Sequence, residues 1–187
     1  MFEKEKWPAG TLLAPVPAVL ISCGDMEKSN ILTVAWTGII NSDPAKTYIS
    51  IRKERYSYDI IKNTKEFVIN LTTKDLLFAT DFCGVRSGKN IDKFKEMKLS
   101  KQPGNEVKVP LIGESPINIE CRVTDIVELG SHDMFISDIL CVDVAKDLVD
   151  DKGKLDLTKA NLIAYSHGEY FTLGEKLGKF GFSVKKK

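Results

Sequence analysis

Two loops of the sequence combine cationic and hydroxyl side chains in the way that phosphate-binding loops do. The first is Arg52-Lys53-Glu54-Arg55-Tyr56-Ser57, which follows an apolar run and precedes a predicted helix. Phosphate oxygens are bound by cationic donors, hydroxyl groups and free backbone N–H groups, and a loop that ends at a helix N-terminus offers all three. Ser57 can either cap that helix or donate to a phosphate oxygen. A charged turn with a conventional cap is the alternative interpretation.

The second loop spans residues 83–94 and contains Ser87, Gly88 and Lys93. Its glycines and serine make it flexible and rich in donors, and its cations suit it to closing over a phosphate. It is not a P-loop, because the spacing Gly-x-x-x-x-Gly-Lys-Ser/Thr is absent. A surface loop without a ligand is an equally good interpretation of this segment alone.

A predicted strand with small side chains lies upstream, in the sequence Thr33-Val34-Ala35-Trp36-Thr37. A flat, heteroatom-edged ring is bound by a strand whose backbone N–H and C=O groups meet that edge and whose side chains permit close approach. The threonines and Ala35 are small enough, and Trp36 can stack on the ring or flank it. The same residues also suit an ordinary core strand that contains one tryptophan.

The two histidines, His132 and His167, give little support to metal or hydrolytic chemistry. His132 lies in the predicted turn Gly130-Ser131-His132-Asp133, and no second histidine or carboxylate stands at metal-ligand spacing from it. No Gly-x-Ser-x-Gly elbow accompanies either histidine. We therefore expect no metal site and no acyl-transfer triad.

Short apolar runs rich in valine and isoleucine, bounded by turn residues, predict a mainly β protein. The predicted strands are residues 16–23, 31–40, 47–52, 66–71, 117–128, 134–144 and 161–165. Helices are predicted after Ser57 and after Thr73, a short helical turn at 90–94, and a long surface loop at 98–113. Seven strands with few helices indicate an antiparallel β-barrel with flanking helices, although a sandwich or an oligonucleotide-binding barrel fits the pattern too.

The composition is that of one soluble domain, residues 1–187. Apolar residues make up 43% and charged residues 28%, and the net charge of +1 indicates neither nucleic acid nor an anionic membrane as a partner. No apolar run is long enough to span a bilayer, and the N-terminus lacks the pattern of a signal peptide, so we expect a cytoplasmic protein. The four cysteines form no Cys-x-x-Cys pair and are expected to be free thiols, and 185–187 is expected to be a solvated basic tail.

An ordered set of motifs along residues 10–178 resembles the flavin reductase-like family, and within it the flavoredoxin-type members. The motifs are Asn30-x-x-Thr33-x-x-Trp36, Asp43-Pro44, Glu66-Phe67-Val68-Ile69-Asn70-Leu71, Ser87-Gly88 followed by Asp92-Lys93-Phe94, Glu120-Cys121-Arg122-Val123, and Gly130-Ser131-His132. No single motif is very specific, but their order is.

This resemblance implies an antiparallel Greek-key FMN-binding split barrel, with FMN as the cofactor. It implies that the flavin ring lies against residues 33–37 and that its phosphate is held by Arg52, Tyr56, Ser57, Ser87 and Lys93. The whole implied cofactor-binding set is Asn30, Thr33, Val34, Ala35, Trp36, Thr37, Ser50, Arg52, Tyr56, Ser57, Ser87, Gly88 and Lys93. His132 matches the family position near the nicotinamide or substrate, and the family typically forms a homodimer with FMN near the subunit interface.

The implied activity is that of an FMN-dependent oxidoreductase, which accepts hydride from NAD(P)H at flavin N5 and passes electrons on, with a redox partner protein as one possible acceptor. An FMN-binding electron-transfer module without efficient NAD(P)H turnover is the first alternative. A nucleic-acid-binding barrel is the second. The net charge of +1 and the placement of aromatic residues within apolar strands count against it.

Overall fold

A seven-stranded antiparallel sheet dominates the computed structural model, which describes residues 1–184. The predicted basic tail at 185–187 lies outside the described residues. The strands are β1 (Val16–Pro17), β2 (Val19–Gly24), β3 (Ser29–Val34), β4 (Thr37–Ser42), β5 (Ala45–Arg52), β6 (Glu66–Leu71), β7 (Lys101–Gln102), β8 (Leu111–Ile112), β9 (Ile117–Glu128), β10 (His132–Val144), β11 (Ile163–Ser166) and β12 (Glu169–Thr172).

Three α-helices and three short 3₁₀ segments connect and flank these strands. The helices are α1 (Tyr56–Thr64), α2 (Leu77–Val85) and α3 (Lys93–Glu96), and the 3₁₀ segments are Lys146–Leu148, Leu157–Ala160 and Phe182–Val184. None of the described helices is long and apolar enough to cross a bilayer. The prediction of a mainly β fold with flanking helices is confirmed.

The large sheet has the order β3-β2-β6-β9-β10-β5-β4, while β1-β11-β12 and β7-β8 form two small sheets. Two consecutive strands, β3 and β4, therefore lie at opposite ends of the large sheet. The chain crosses between those ends at Ala35 and Trp36, where the backbone N–H of Ser50 donates to the carbonyl of Trp36 at 2.9 Å. The sheet thus curls until its ends approach, and it is left split between β3 and β5.

The buried strand β2 has apolar side chains on both faces, which explains why Val19–Cys23 is apolar except at Ser22. Val19, Ile21 and Cys23 belong to the cluster inside the curled sheet. Leu20 faces outward and contacts a second cluster that includes Cys83 of α2 and Phe94 of α3. The helices α2 and α3 therefore cover the outside of the sheet beside β3 and hold the loop between them close to that strand.

Two predicted strands are wrong in extent. Residues 31–40 form two strands rather than one, because the chain leaves the sheet at 35–36 to cross its open side. No glycine or proline marks this crossing, so the apolar pattern runs straight through it. Residues 16–23 are likewise divided between the small sheet, which takes Val16–Pro17, and the large one, which takes Val19–Gly24. The strand Glu169–Thr172 was not predicted.

The predicted surface loop at 98–113 is also wrong, because much of it is buried. It contributes the small sheet of β7 and β8, and Val107 and Val109 pack against Val68. Fully buried Glu120 holds the loop by accepting hydrogen bonds from the backbone N–H groups of residues 105, 106 and 107 at 2.7–2.8 Å. The prolines and polar residues of this segment obscure its alternating apolar positions.

Candidate functional site

A narrow cleft opens where the two ends of the curled sheet meet. We call it the strand cleft. Its volume is about 100 Å³, and it is lined by Leu32, Thr33, Val34, Ala35, Trp36, Ser50, Ile51, Arg52, Arg55 and His132. Four segments form it: the end of β3 with the crossing at 35–36, the end of β5, the turn before α1, which contributes Arg55, and the start of β10. The cleft therefore exists because the barrel is split.

A second cavity, which we call the loop cavity, lies at the N-terminal end of α1. Its volume is about 230 Å³, and it is lined by Asn30, Leu32, Glu54, Arg55, Tyr56, Ser57, Arg86, Ser87, Gly88 and Lys93. Leu32 and Arg55 line both cavities, so the two form one groove, the site groove. Sequence segments more than 50 residues apart are thereby brought together.

The crossing at 35–36 offers unpaired backbone donors to the strand cleft. The N–H groups of Ala35 and Trp36 have no hydrogen-bond acceptor within residues 1–184, whereas the Trp36 carbonyl is taken by Ser50. Small half-buried Ala35 leaves these groups accessible, and the Trp36 side chain is 38% exposed beside them. This is an edge that a ring with hydrogen-bond acceptors can approach.

The threonines of this segment serve mainly to fix the backbone. Thr33 Oγ1 donates to the carbonyl of Thr80 in α2, and Thr37 Oγ1 donates to the carbonyl of Tyr48. Their hydroxyl protons are therefore committed, although their oxygens can still accept. Thr37 lines neither part of the site groove, and Val34 is 94% buried with its side chain in the barrel interior.

Asn30, Ser57 and Gly88 form the back wall of the loop cavity. Buried Asn30 donates from Nδ2 to Ser57 Oγ at 2.8 Å. A Cβ atom added at Gly88 would lie 1.9 Å from Asn30 Oδ1, so only glycine lets this loop approach so closely. Ser57 does not cap α1, because the cap position is Arg55 and Ser57 lies within the first turn. The capping alternative is therefore wrong, and Ser57 forms part of the cavity wall, where its hydroxyl oxygen accepts the hydrogen bond from Asn30.

Lys93 is a buried cation in the same wall. It is only 2% exposed, and its Nζ donates to the carbonyls of Ile31 at 2.7 Å and Cys83 at 2.8 Å. Burial lowers the pKa of the ammonium group, and the nearby Arg55 charge lowers it further. Two of the three ammonium protons of Lys93 are thus donated to backbone carbonyls, and the carbonyl of Cys83 belongs to the last turn of α2. The third proton is left for a ligand.

Two arginines that stand in the predicted loops, but not in the implied cofactor-binding set, line the loop cavity. Arg55 donates to the carbonyl of Gly84 at 3.1 Å, and Arg86 follows the end of α2. No carboxylate lies within ion-pair distance of either one in the part of the chain that the structure describes. Arg52, by contrast, lies in the strand cleft and is 3.4 Å from Glu54. Proximity in sequence to Ser57 and Ser87 was the available signal for Arg55 and Arg86.

His132 stands at the rim of the strand cleft, at the start of β10 and opposite Arg52 in register. Its Nδ1 is 2.9 Å from Ser131 Oγ, which leaves Nε2 for a ligand.

The next residue, Asp133, is buried and accepts a hydrogen bond from the hydroxyl of Tyr58 on α1. This contact lowers the pKa of Asp133 and raises that of Tyr58 to about 12. The Tyr58–Asp133 contact was not predicted, and it joins α1 to the strand that carries His132.

A further cavity of about 300 Å³ adjoins the strand cleft across Trp36. Its walls include Leu12 and Leu13 from the N-terminal segment, together with Tyr165 and His167. The second histidine is thus also near the site groove, on its outer side. Aromatic and apolar side chains therefore line the cavity that leads to this side of the strand cleft.

The sequence model of the Flavin reductase like domain matches residues 12–174. The chain belongs to this family. Among solved structures, flavoredoxin of Desulfovibrio vulgaris (Miyazaki F) is 32% identical with a TM-score of 0.90, and the match covers 98% of this chain and 100% of that one. Flavoredoxin from Methanosarcina acetivorans is 25% identical with a TM-score of 0.86 and the same coverage. The predicted resemblance to the flavin reductase-like family, and to its flavoredoxin-type members, is confirmed.

A more distant relative of this flavin reductase-like chain is the NADPH-flavin oxidoreductase of Streptomyces viridifaciens. It is 21% identical over 128 residues, which are 67% of this chain and 65% of the relative. The mainly β split-barrel fold agrees with the family assignment and with the flavoredoxin structures.

Proposed function

We propose that this protein is an FMN-binding oxidoreductase that accepts hydride from NAD(P)H and passes the electrons on. The observation that carries the proposal is the site groove, in which a cleft with free backbone donors continues into a cavity with cationic and hydroxyl groups. Such a groove matches a ligand with a flat polar-edged ring at one end and a phosphate at the other. Membership in the flavin reductase-like family supports the same choice of ligand.

The loop cavity fits the phosphate end. Arg55 and Arg86 can form charge-assisted hydrogen bonds, Lys93 has one proton left, and the hydroxyls of Ser57 and Ser87 are in the same walls. The first turn of α1 adds backbone N–H groups. Three cations against the single carboxylate of Glu54 give this cavity a net positive charge at neutral pH.

The strand cleft fits the ring end. The N–H groups of Ala35 and Trp36 would donate to acceptors on the ring edge, and Trp36 would flank the ring. When bound, FMN supplies the redox chemistry, since it accepts a hydride at N5 from a reduced nicotinamide and gives up electrons to an acceptor. Donors fixed at the ring edge favour the negative charge of the reduced form because they need no reorganisation.

His132 is the proposed catalytic residue at the open side of the cleft. With Nδ1 held by Ser131, Nε2 can hydrogen-bond the nicotinamide amide or exchange a proton with the electron acceptor. The contact between Tyr58 and Asp133 would keep this histidine in place. The remaining cofactor residues act through position: Asn30 and Gly88 shape the phosphate end, and Thr33, Thr37 and Ser50 fix the crossing.

We further propose a single cytoplasmic domain that forms a homodimer with FMN near the subunit interface. One observation favours a second candidate function, an FMN electron-transfer module with little NAD(P)H turnover of its own: two flavoredoxins are among its structural relatives. In that case a redox partner protein would supply or remove the electrons.

Anaerobic reduction separates these two functions. The protein is loaded with FMN, freed of unbound flavin, and mixed with NADH or NADPH while the flavin absorbance is followed. Rapid bleaching supports the oxidoreductase, and rapid reoxidation by an added acceptor completes the cycle. A bound flavin that stays oxidised under both nucleotides but is reduced by dithionite contradicts NAD(P)H turnover and supports the electron-transfer module.

A further inference from the structure

A large groove beside α2 has no place in the flavin site. We call it the α2 groove. Its volume is about 750 Å³, larger than either part of the site groove, and it shares no lining residue with them. Its apolar surface includes buried Leu76, Ala79, Leu148 and Ala160, and Phe78 stands 74% exposed at its side. A cavity of this volume with partly apolar walls is typical of a binding site.

The walls of the α2 groove also carry an excess of negative charge. Four acidic residues line it, and only two lysines, Lys98 and Lys159, do so. The acidic residues are Asp75, Glu96, Glu114 and Asp147. A segment that fills this groove should therefore combine apolar side chains with lysines or arginines.

The C-terminal segment of the same chain has this composition. Residues 173–184, which we call the tail, follow β12 and expose all five of their large apolar side chains: Leu173 is 62% exposed, Leu177 95%, Phe180 109%, Phe182 66% and Val184 81%. The tail also carries Lys176 and Lys179 against one acidic residue, and three more lysines follow in the sequence. A single chain thus leaves both the groove and a complementary segment exposed to water.

The tail also leaves the body of the protein close to the helix that forms the groove. Tyr170 of β12 donates from its hydroxyl to Asp81 of α2 at 3.3 Å. Because β12 ends at Thr172, the tail begins at the next residue, close to α2. A two-fold axis near α2 would therefore bring the tail of each chain onto the groove of the other. A contact of this kind is made twice, because symmetry repeats it.

We propose that the tail of each chain docks in the α2 groove of a second copy, so that two chains exchange tails. Phe180 and Phe182 would enter the apolar part, and Lys176 and Lys179 would face the acidic residues. Each buried phenyl side chain removes about 150–250 Å² from water, so four of them contribute roughly 600–1,000 Å² of the about 1,600 Å² in a standard interface. This inference defines how the proposed homodimer is held and does not depend on flavin binding.

Sedimentation equilibrium of full-length variants tests the proposal. The tail variant carries Phe180→Ser and Phe182→Ser, and the groove variant carries Glu96→Lys and Asp147→Lys. The wild-type carboxylates of Glu96 and Asp147 make no ion pair among residues 1–184, so their replacement breaks none there. Each variant should raise the dimer dissociation constant at least about tenfold, while Met26→Ser, an exposed apolar residue at the β2–β3 turn, should not change it. FMN binding by each variant reports separately on the proposed function.

Mixing the two variants distinguishes exchange between chains from folding of the tail onto its own groove. In a mixed dimer the normal tail of the groove variant meets the normal groove of the tail variant, so the equimolar mixture should associate more tightly than either variant alone. A mixture no tighter than its components, unchanged dissociation constants in the variants, or a wild-type protein that stays monomeric would each overturn the proposal. FMN binding, measured at protein concentrations well above each dimer dissociation constant, tests the proposed function separately.

Discussion

Asn30 and Gly88 meet so closely in the loop cavity that one added methyl group would disrupt the wall. In Gly88→Ala the new Cβ would lie 1.9 Å from Asn30 Oδ1, and buried Asn30 is held by Ser57 and cannot move aside without losing that bond. We predict that this substitution weakens FMN binding at least about tenfold, measured by quenching of flavin fluorescence. Gly174→Ala, where the added Cβ meets nothing within 4 Å, is the matched control. Equal affinities for FMN in both variants would contradict the placement of the phosphate.

Arg55 and Arg86 provide a second test, because riboflavin lacks the phosphate that they would bind. Arg55→Gln and Arg86→Gln should each weaken FMN binding about tenfold or more, since a hydrogen bond to a charged group contributes roughly 1.5–3 kcal/mol, and should leave riboflavin binding nearly unchanged. Arg122→Gln, on β9 and outside the site groove, is the control. If Arg52→Gln instead produced the phosphate-specific loss, the original sequence interpretation would be correct and this one wrong.

Which arginine lines the loop cavity is a detail that the sequence could not give. Arg52 and Arg55 stand in one basic loop, but β5 ends at Arg52 and the turn that follows directs Arg55 into the loop cavity. Residue types were enough to single out the two serines and the glycine that the structure brings together in the loop cavity. The direction of each cationic side chain depends on where the strand ends, and sequence patterns locate such boundaries poorly.

At the scale of elements, α1 and β10 are joined by the hydroxyl of Tyr58 and the carboxylate of Asp133. Tyr58→Phe keeps the edge contact between the Tyr58 and Phe135 rings, at 5.4 Å between centroids, and removes only the hydrogen bond. We predict lower stability to urea at neutral pH. The pKa of Asp133 is lowered in the folded protein, chiefly by this hydrogen bond, so its stabilising effect is present above the unfolded pKa and is lost as the pH falls through the folded one.

The difference in stability between wild type and Tyr58→Phe should therefore shrink on acidification below the ordinary aspartate pKa of about 3.9. Tyr48→Phe is the matched control, because its hydroxyl makes no hydrogen bond in the part of the chain with described structure, and it should change little at any pH. A difference that grows at acid pH would contradict the role given to Asp133.

A pair of carboxylates on β9 and β10 should give the opposite pH dependence. Burial, and then the neighbouring carboxylate of Glu120, raises the pKa of Asp143 above its ordinary value. Because its folded pKa is raised, the stability it contributes is present below the unfolded pKa and falls as the pH rises through the folded one. Asp143→Asn places a permanent donor there, so the melting temperature of this variant should decline less than that of wild type between acid and alkaline pH. A steeper decline in the variant would contradict the raised pKa of Asp143.

The same two strands show why element boundaries were partly predictable. The segments 117–128 and 134–144 place apolar residues at many alternating positions and pair with each other over most of their length. Their predicted extents agree with β9 and β10 to within two residues. Residues 31–40 were predicted as one strand because nothing local marks the crossing at 35–36. That break arises from the curl of the whole sheet, and it is also what creates the strand cleft.

At the scale of the whole molecule, the split in the barrel explains both the fold and the site. Closing the sheet between β3 and β5 would pair the backbone donors at 35–36 and remove the cleft. The β-rich fold followed from the short apolar runs along the chain. The family followed from the order of the motifs, which is informative even though each motif alone is ambiguous. The α2 groove could not be foreseen, because its residues come from five separate segments between 73 and 161 that share no motif.

Titration of the flavin-free protein with FMN, followed by flavin fluorescence and absorbance, tests the central claim most directly. The site groove predicts saturation at one FMN per chain with a dissociation constant of about 10 μM or lower, and clearly weaker binding of riboflavin. It also predicts that Arg122→Gln binds FMN as wild type does. An FMN titration that leaves fluorescence and absorbance unchanged, or FMN and riboflavin bound with equal affinity, would contradict the assignment of the groove.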